Sequence, residues 1–258
     1  MSDFPFPAVR PGRTVAAAGA FACSTLLGVA LFAGLSPAPV AAQDHAAHHA
    51  TPVPGLPDGW MAHFDAAAGG GEHAAHAAAQ ELSFADMAPG WHIETGPSGI
   101  FYRHEFRGQG TFALESEIHL FDPGERRESF GVFFGGSALH DPETRRYAYF
   151  LVRRDGSFMI RERRGTELVD VAGWTEHEAV QGWDDRPEGA TSVPNVLRVE
   201  AGETEVVFLV NGQEVRRVPR ADVAVDGHFG LRVNHNLNLH VTRVGLVEAE
   251  NGSASPGR

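Results

Sequence analysis

The stretch Tyr147–Gly165, "YAYFLVRRDGSFMIRERRG", decides the fold class. Two runs rich in aromatic and β-branched residues flank Asp155-Gly156, and Asp-Gly supplies the positive-φ residues that a tight hairpin turn needs. The segment reads as two antiparallel strands. Upstream, "TFALESEIHL" (Thr111–Leu120) has a period of two: Phe112, Leu114, Ile118 and Leu120 share one face, with Ala113, Glu115, Glu117 and His119 on the other. Downstream, "EVVFLVNGQEVRRV" reads as a second hairpin turning at Asn211-Gly212. "HFGLRV" and "LNLHVTRVGLV" are two more strands, joined by a turn at Asn234-His235-Asn236. After residue 90 no apolar stripe of helical period appears. Antiparallel strands with alternately apolar faces pack as two sheets, each burying its inner face. The sequence therefore predicts an all-β, two-sheet antiparallel sandwich over residues 81–248, with residues 249–258 as a disordered tail.

The N-terminal part reads differently. Arg10 and Arg13 precede an apolar run from Val15 to Leu35, and "SPAPVAAQ" places small Val40 and Ala42 before a cleavage point. Residues 1–42 thus have the layout of a signal peptide, which implies a periplasmic or extracellular location and no stable membrane insertion after cleavage; the alternative is a retained transmembrane anchor, since the run approaches the ~20 residues a span needs. The single cysteine, Cys23, lies inside the apolar run, so the chain after Ala42 has neither disulfides nor thiolate chemistry. Every basic residue is Arg, and the net charge of −12 argues against nucleic acid and anionic membrane surfaces as partners. Residues 43–80 form a leader rich in His and Ala. It carries "DHAAHHA" from Asp44 and a near-copy, "EHAAHAA", from Glu72. His45, His48 and His49, and again His73 and His76, have spacings at which imidazoles on a helix share a metal. An Ala-rich tail without fixed surroundings provides at most weak capture of a transition metal, because ordering it costs about 1–2 kcal/mol per residue. Apart from this metal and a calcium ion at Asp184 and Asp185, no cofactor is indicated, and the sequence does not give the oligomeric state.

One set of motifs carries a resemblance. Asn195, Leu197 and Val199, then Phe208, Val210, Asn211 and Gly212, then Gly227, Gly230 and Leu231 form the pattern Asn-x-Leu-x-Val, Phe-x-Val-Asn-Gly, Gly-x-x-Gly-Leu. This pattern resembles the closing strands of concanavalin A-like lectin/glucanase jelly rolls. That group includes laminin-G-like modules and 3-keto-disaccharide hydrolase-like domains. "FGVFFGG" (Phe130–Gly136) resembles a central strand of the same domains, and the similarity covers roughly residues 91–247. It implies a jelly roll and, for many members, sugar binding. The acidic strands of the hydrolase and glucanase members are not intact here, so the resemblance brings no catalytic set. The motifs themselves specify turns and close packing rather than chemistry.

Candidate chemistry comes from four places. Glu115 and Glu117, two apart on a strand, hold their carboxylates about 6–7 Å apart, a spacing compatible with acid–base glycoside hydrolysis. Their strand face is the polar one, however, which is ordinarily solvated. "WHIETGPSGIFYRHEF" gathers Trp91, His92, Glu94, Tyr102 and His104; Trp91 and Tyr102 are either sugar-stacking platforms or core aromatics. The long connection "GWTEHEAVQGWDDRPEG" carries Trp174, Trp183, Asp184 and Asp185. Its length suggests function, and its two aspartates admit a calcium ion without the usual loop spacing. In "LRVNHNLNLHV", Arg232, Asn234, His235 and Asn236 have the planar groups that bind hydroxyls. The first expectation is a lectin-like domain that binds a glycan or small polar ligand without transforming it. A glycoside hydrolase and a periplasmic metal-binding protein are the alternatives.

Overall fold

The computed structural model describes residues 55–65 and 81–248. Residues 1–42, read above as a signal peptide, most of the His-rich leader with His45, His48, His49, His73 and His76, and the tail after Glu248 lie outside the described residues. The regular structure of the described part is strand, arranged as two antiparallel sheets, apart from one short 3-10 turn at Arg220–Asp222.

Strands are numbered in chain order. Sheet A runs β1 (Trp60–Phe64), β4 (Gly99–Arg103), β14 (Gly227–Val233), β7 (Ser129–Ser137), β8 (Arg146–Arg153), β9 (Ser157–Arg164), β10 (Glu167–Glu176), and the short β5 (Arg107–Gly108) also pairs with β14. Sheet B runs β13 (Gln213–Pro219), β12 (Glu205–Val210), β11 (Ser192–Ala201), β6 (Phe112–Phe121), β15 (Asn238–Val247), β3 (Trp91–Glu94), β2 (Ser83–Asp86). Both expected hairpins are present. β8 pairs with β9 around Gly156 at φ 77°, and β12 pairs with β13 around Asn211 and Gly212 at φ 49° and 80°. The Asn234–Asn236 turn is not a hairpin within one sheet. It carries the chain from β14 in sheet A to β15 in sheet B.

The core lies between the sheets. Leu114, Ile118 and Leu120 of β6 and Leu197, Val199 and Phe208 of sheet B face Phe101, Val132, Phe134, Phe150 and Leu231 of sheet A. Phe208 meets Phe150 edge-on at 5.3 Å, tying the sheets across the middle; burying one such ring is worth about 1.5–3 kcal/mol.

Two sequence expectations change. β1 lies inside the stretch read as low-complexity leader, so the folded domain begins earlier than residue 81. Trp60 and Ala62 are buried in the core, with Trp60 against Phe84, Trp91 and Phe106. Five residues between compositionally biased flanks are too few to show a period. The long connection after β10 is a plug. Ala179 and Val180 enter the core, and Asn195 and Asn211 hold the segment by its backbone. Gln181 N–H donates to Asn195 Oδ1 at 2.9 Å, Asn195 Nδ2 donates to Gln181 O at 3.0 Å, and Asn211 Nδ2 donates to Ala179 O at 2.8 Å.

Candidate functional site

Alternation along the central strands of sheet A creates a second cluster on the face turned away from the core. In β8, Ala148, Phe150 and Val152 point inward, so Tyr147, Tyr149 and Leu151 point outward; in β4, Ile100 and Tyr102 do the same, as Phe133 does in β7. The chain has three tyrosines, and all three stand on this face. Tyr102 and Phe133 meet edge to face at 5.9 Å across β14, Phe133 meets Tyr147 at 5.6 Å, and Tyr147 lies 5.9 Å from Tyr149. Gly230 between the first two makes this possible, since a Cβ there would fall 2.9 Å from Tyr102 and 3.0 Å from Phe133.

Four arginines surround the aromatic row. Arg161 and Arg163 alternate on β9 and share the outward direction of Met159. Arg232 points outward from β14, with its guanidinium 5.8 Å from the Tyr149 ring. Arg145, just before β8, is close enough to His63, Asp65, Tyr102 and Tyr147 to perturb or be perturbed by each. Arg145 and Arg232 are buried, at 6% and 8% exposure, whereas the side chains of Arg161 and Arg163 keep 28% and 23%. The site thus has a buried floor and a partly open rim.

Asp65, immediately after β1, is the hub of the charges. Arg232 Nη2 donates to its Oδ2 at 2.5 Å, Ser98 Oγ donates to the same oxygen at 2.9 Å, and Arg163 Nη1 lies 3.6 Å from Oδ1. Burial by itself would raise the carboxyl's pKa, but Arg232, Ser98 and Arg163 outweigh it and hold the group below the ordinary carboxylate range. His63, whose Nε2 is 3.1 Å from the Tyr102 hydroxyl, is pushed down to about 4 by burial and by the nearby Arg145 and His140. It is therefore a neutral imidazole at physiological pH. Burial raises the Tyr102 and Tyr149 hydroxyls, which stay protonated. Asp170 on β10 pairs with Arg161.

Of the residues singled out from sequence, Tyr102 and Arg232 meet here. The others do not join them. Trp91 is half-buried and packs edge-on against Trp60 at 5.0 Å, as a core aromatic. Trp183 is 7% exposed with Arg186 over its ring at 4.1 Å, inside the plug. Trp174 is 38% exposed and carries Arg153 over its ring at 4.2 Å, by the outward end of β8. Asn234 donates from N–H to Ser129 O and from Nδ2 to Ser129 Oγ, while its carbonyl accepts from Thr95. Asn236 has φ 51° and donates to Gly96 O, and His235 lies 3.8 Å from Glu128. These three build the crossover turn.

Glu115 and Glu117 stand on the outer face of sheet B. Arg243 pairs with Glu115 at 2.6 Å and reaches Glu117 at 3.9 Å, and Arg198 pairs with Glu115 at 3.3 Å. His92, His240 and His119 lie in register across β3, β15 and β6 on the same face. Among the described residues no group of three metal-ligating side chains converges. Asp184 is 77% exposed and accepts from Arg154 at 3.2 Å. Among the described residues no helix is long and apolar enough to cross a membrane.

Tyr147, Tyr149, Arg145, Arg161, Arg163, Asp65 and His63 did not stand out in the sequence. A signal was present: "YAYFLV" has large residues on both strand faces, which marks a central strand covered on both sides. Arg161 and Arg163, two apart on its partner, necessarily share a face.

No protein-family model matches the chain, and no curated protein matches it. Solved structures do. Carbohydrate-binding module CBM66 from Bacillus subtilis is 15% identical, with 74% of this chain and 96% of that one aligned at a TM-score of 0.50. A protein of unknown function with a galectin-like fold, also from Bacillus subtilis, is 12% identical over 72% and 88% at 0.46. The laminarinase catalytic domain from Thermotoga maritima is 12% identical over 66% and 75% at 0.40. At these identities the likeness is one of fold. The chain has a two-sheet antiparallel jelly-roll fold.

Proposed function

We propose that this protein is an exported, non-catalytic carbohydrate-binding domain whose site is the outer face of sheet A. The observation that carries the reading is the gathering there of all three tyrosines and four arginines, on adjacent strands of a rigid sheet. A pyranose has apolar C–H faces and a rim of hydroxyls. The partly open guanidinium forks of Arg161 and Arg163 take the hydroxyls, and the tyrosine rings, each under 7% exposed, form the apolar floor beneath them rather than an open stacking platform. The jelly-roll fold, shared with the Bacillus subtilis carbohydrate-binding module, supports this reading as an analogy of fold. Export rests on the signal-peptide layout of residues 1–42, and metal capture by the leader histidines would be a separate, weak property.

A hydrolase has less support. A general acid must hold its proton near the working pH, and Asp65 is held ionised by its arginine partners. Glu115 and Glu117 are engaged by Arg198 and Arg243 on the opposite side of the sandwich. The test is a glycan array probed with the purified protein and with Tyr149→Leu and Arg161→Gln. Binding to a defined glycan, lost or weakened at least fivefold in both folded variants, is expected. Binding that neither variant alters, or turnover of the bound glycan abolished by Glu117→Gln, would overturn the proposal.

A further inference from the structure

We propose that the ligand of this face is an anionic sugar, one carrying a carboxylate or sulfate group on the ring. The inference rests on the binding site proposed above and concerns its charge. Arg145, Arg161, Arg163 and Arg232 bring four positive charges to the face, against three negative ones: Asp65, Asp170, and Asp141, which acts on Arg145 from the segment before β8. This surplus stands in a chain whose net charge is −12. It is also concentrated where water is scarce. Arg232 donates to Asp65 through Nη2, but its Nε and Nη1 are buried without a hydrogen-bond partner, as is Nε of Arg145. Arg145 has no ion-pair partner among the described residues, and Asp65 serves both Arg232 and Arg163.

Buried guanidinium groups short of counter-charge are costly. The outer face of sheet B shows that this protein can balance such charges: Arg198 there is matched by Glu115 and Glu200, and Arg243 by Glu115 and Glu117. A neutral sugar on sheet A would satisfy hydroxyl-to-donor contacts and leave the surplus as it is. An anionic sugar would neutralise it. Arg161 and Arg163 on the rim can meet the anionic group through their planar forks, and Arg145 and Arg232 beneath act over a longer range because the buried floor screens them poorly.

The test measures affinities of the purified protein for trigalacturonate, for its carboxyl-reduced neutral counterpart, and for a sulfated galactan oligosaccharide of similar length. Trigalacturonate or the sulfated oligosaccharide should bind at least tenfold tighter than the neutral one, and which of the two does so identifies the anionic group. That preference should shrink as NaCl rises from 0.05 to 0.5 M. Arg163→Gln should reduce it about tenfold, and Arg161→Gln, on the more exposed rim, should reduce it in the same direction if Arg163→Gln does not fold. Equal affinity for charged and neutral probes, without salt dependence, would overturn the anionic ligand and leave the site standing. No affinity for any of the three, together with an array without binders, would remove the site itself.

Discussion

Replacing Asp65 by Asn tests the charge hub without changing its shape. The substitution leaves an acceptor for Ser98 but removes the charge that Arg232 and Arg163 share. Removing one partner of a buried ion pair typically costs about 3–5 kcal/mol. The Asp65 side chain keeps 27% exposure, so solvent screens part of the interaction and the expected loss is about 2–3 kcal/mol. Chemical denaturation at pH 7 measures it. The loss must also depend on pH in a fixed direction. The Asp65 carboxyl is depressed in the folded state, so its stabilisation is fully present above the unfolded value of about 3.9. It fades as pH falls through the still lower folded value. The gap between wild type and Asp65→Asn should therefore narrow only in strong acid. Adding Arg232→Met should recover part of the loss, because the unpaired cation goes with it. A variant within about 0.5 kcal/mol of wild type at pH 7, the scatter expected for an uninvolved surface site, would refute the reasoning.

His63 carries an opposite kind of charge into the same linkage. Its pKa of about 4 in the fold lies below the unfolded 6.5, so the unfolded chain binds more protons in between. Stability should fall by about 2–3 kcal/mol from pH 6.5 to pH 4, and a denaturation series should show that slope flattened in His63→Gln. Asn195→Ala removes the acceptor and donor that pin Gln181. A loss of about 2–4 kcal/mol is expected from unsatisfied buried backbone groups, with the 177–191 segment becoming protease-sensitive. Resistance to protease there, with an unchanged melting temperature, would contradict its role as a clasp. Glu115→Gln with Glu117→Gln should leave glycan binding unchanged within twofold in the array ligand's titration, because both lie on the other sheet.

The fold was legible because its decisive features are local. Asp155-Gly156 and Asn211-Gly212 fix two hairpins through backbone conformation, and period-two patterning in β6 identifies its buried face. The site was less legible because it is assembled from residues distant in sequence. Asp65 and Arg232 are 167 positions apart, and nothing in the spacing of either announces the other. Aromatic content misled in a definable way: Trp91 and Trp183 drew attention as rare, large rings, yet their size is spent on the core and the plug. The functional reading of Arg232 did extend to its neighbours Asn234, His235 and Asn236, but these lie where the chain leaves sheet A, and their polar groups serve the turn. Tyr147 and Tyr149 were hidden by their own strand. A run that is apolar on both faces looks like core throughout, until pairing shows which face has a second sheet against it.

The most direct test of the central claim is to locate a bound sugar. Amide chemical-shift mapping with the tightest glycan from the array should place the largest changes at Tyr102, Tyr149, Arg161, Arg163 and Arg232, spread over β4, β8, β9 and β14. Changes confined to the outer face of sheet B around His92, His119 and His240, or to the 177–191 segment, would contradict the account.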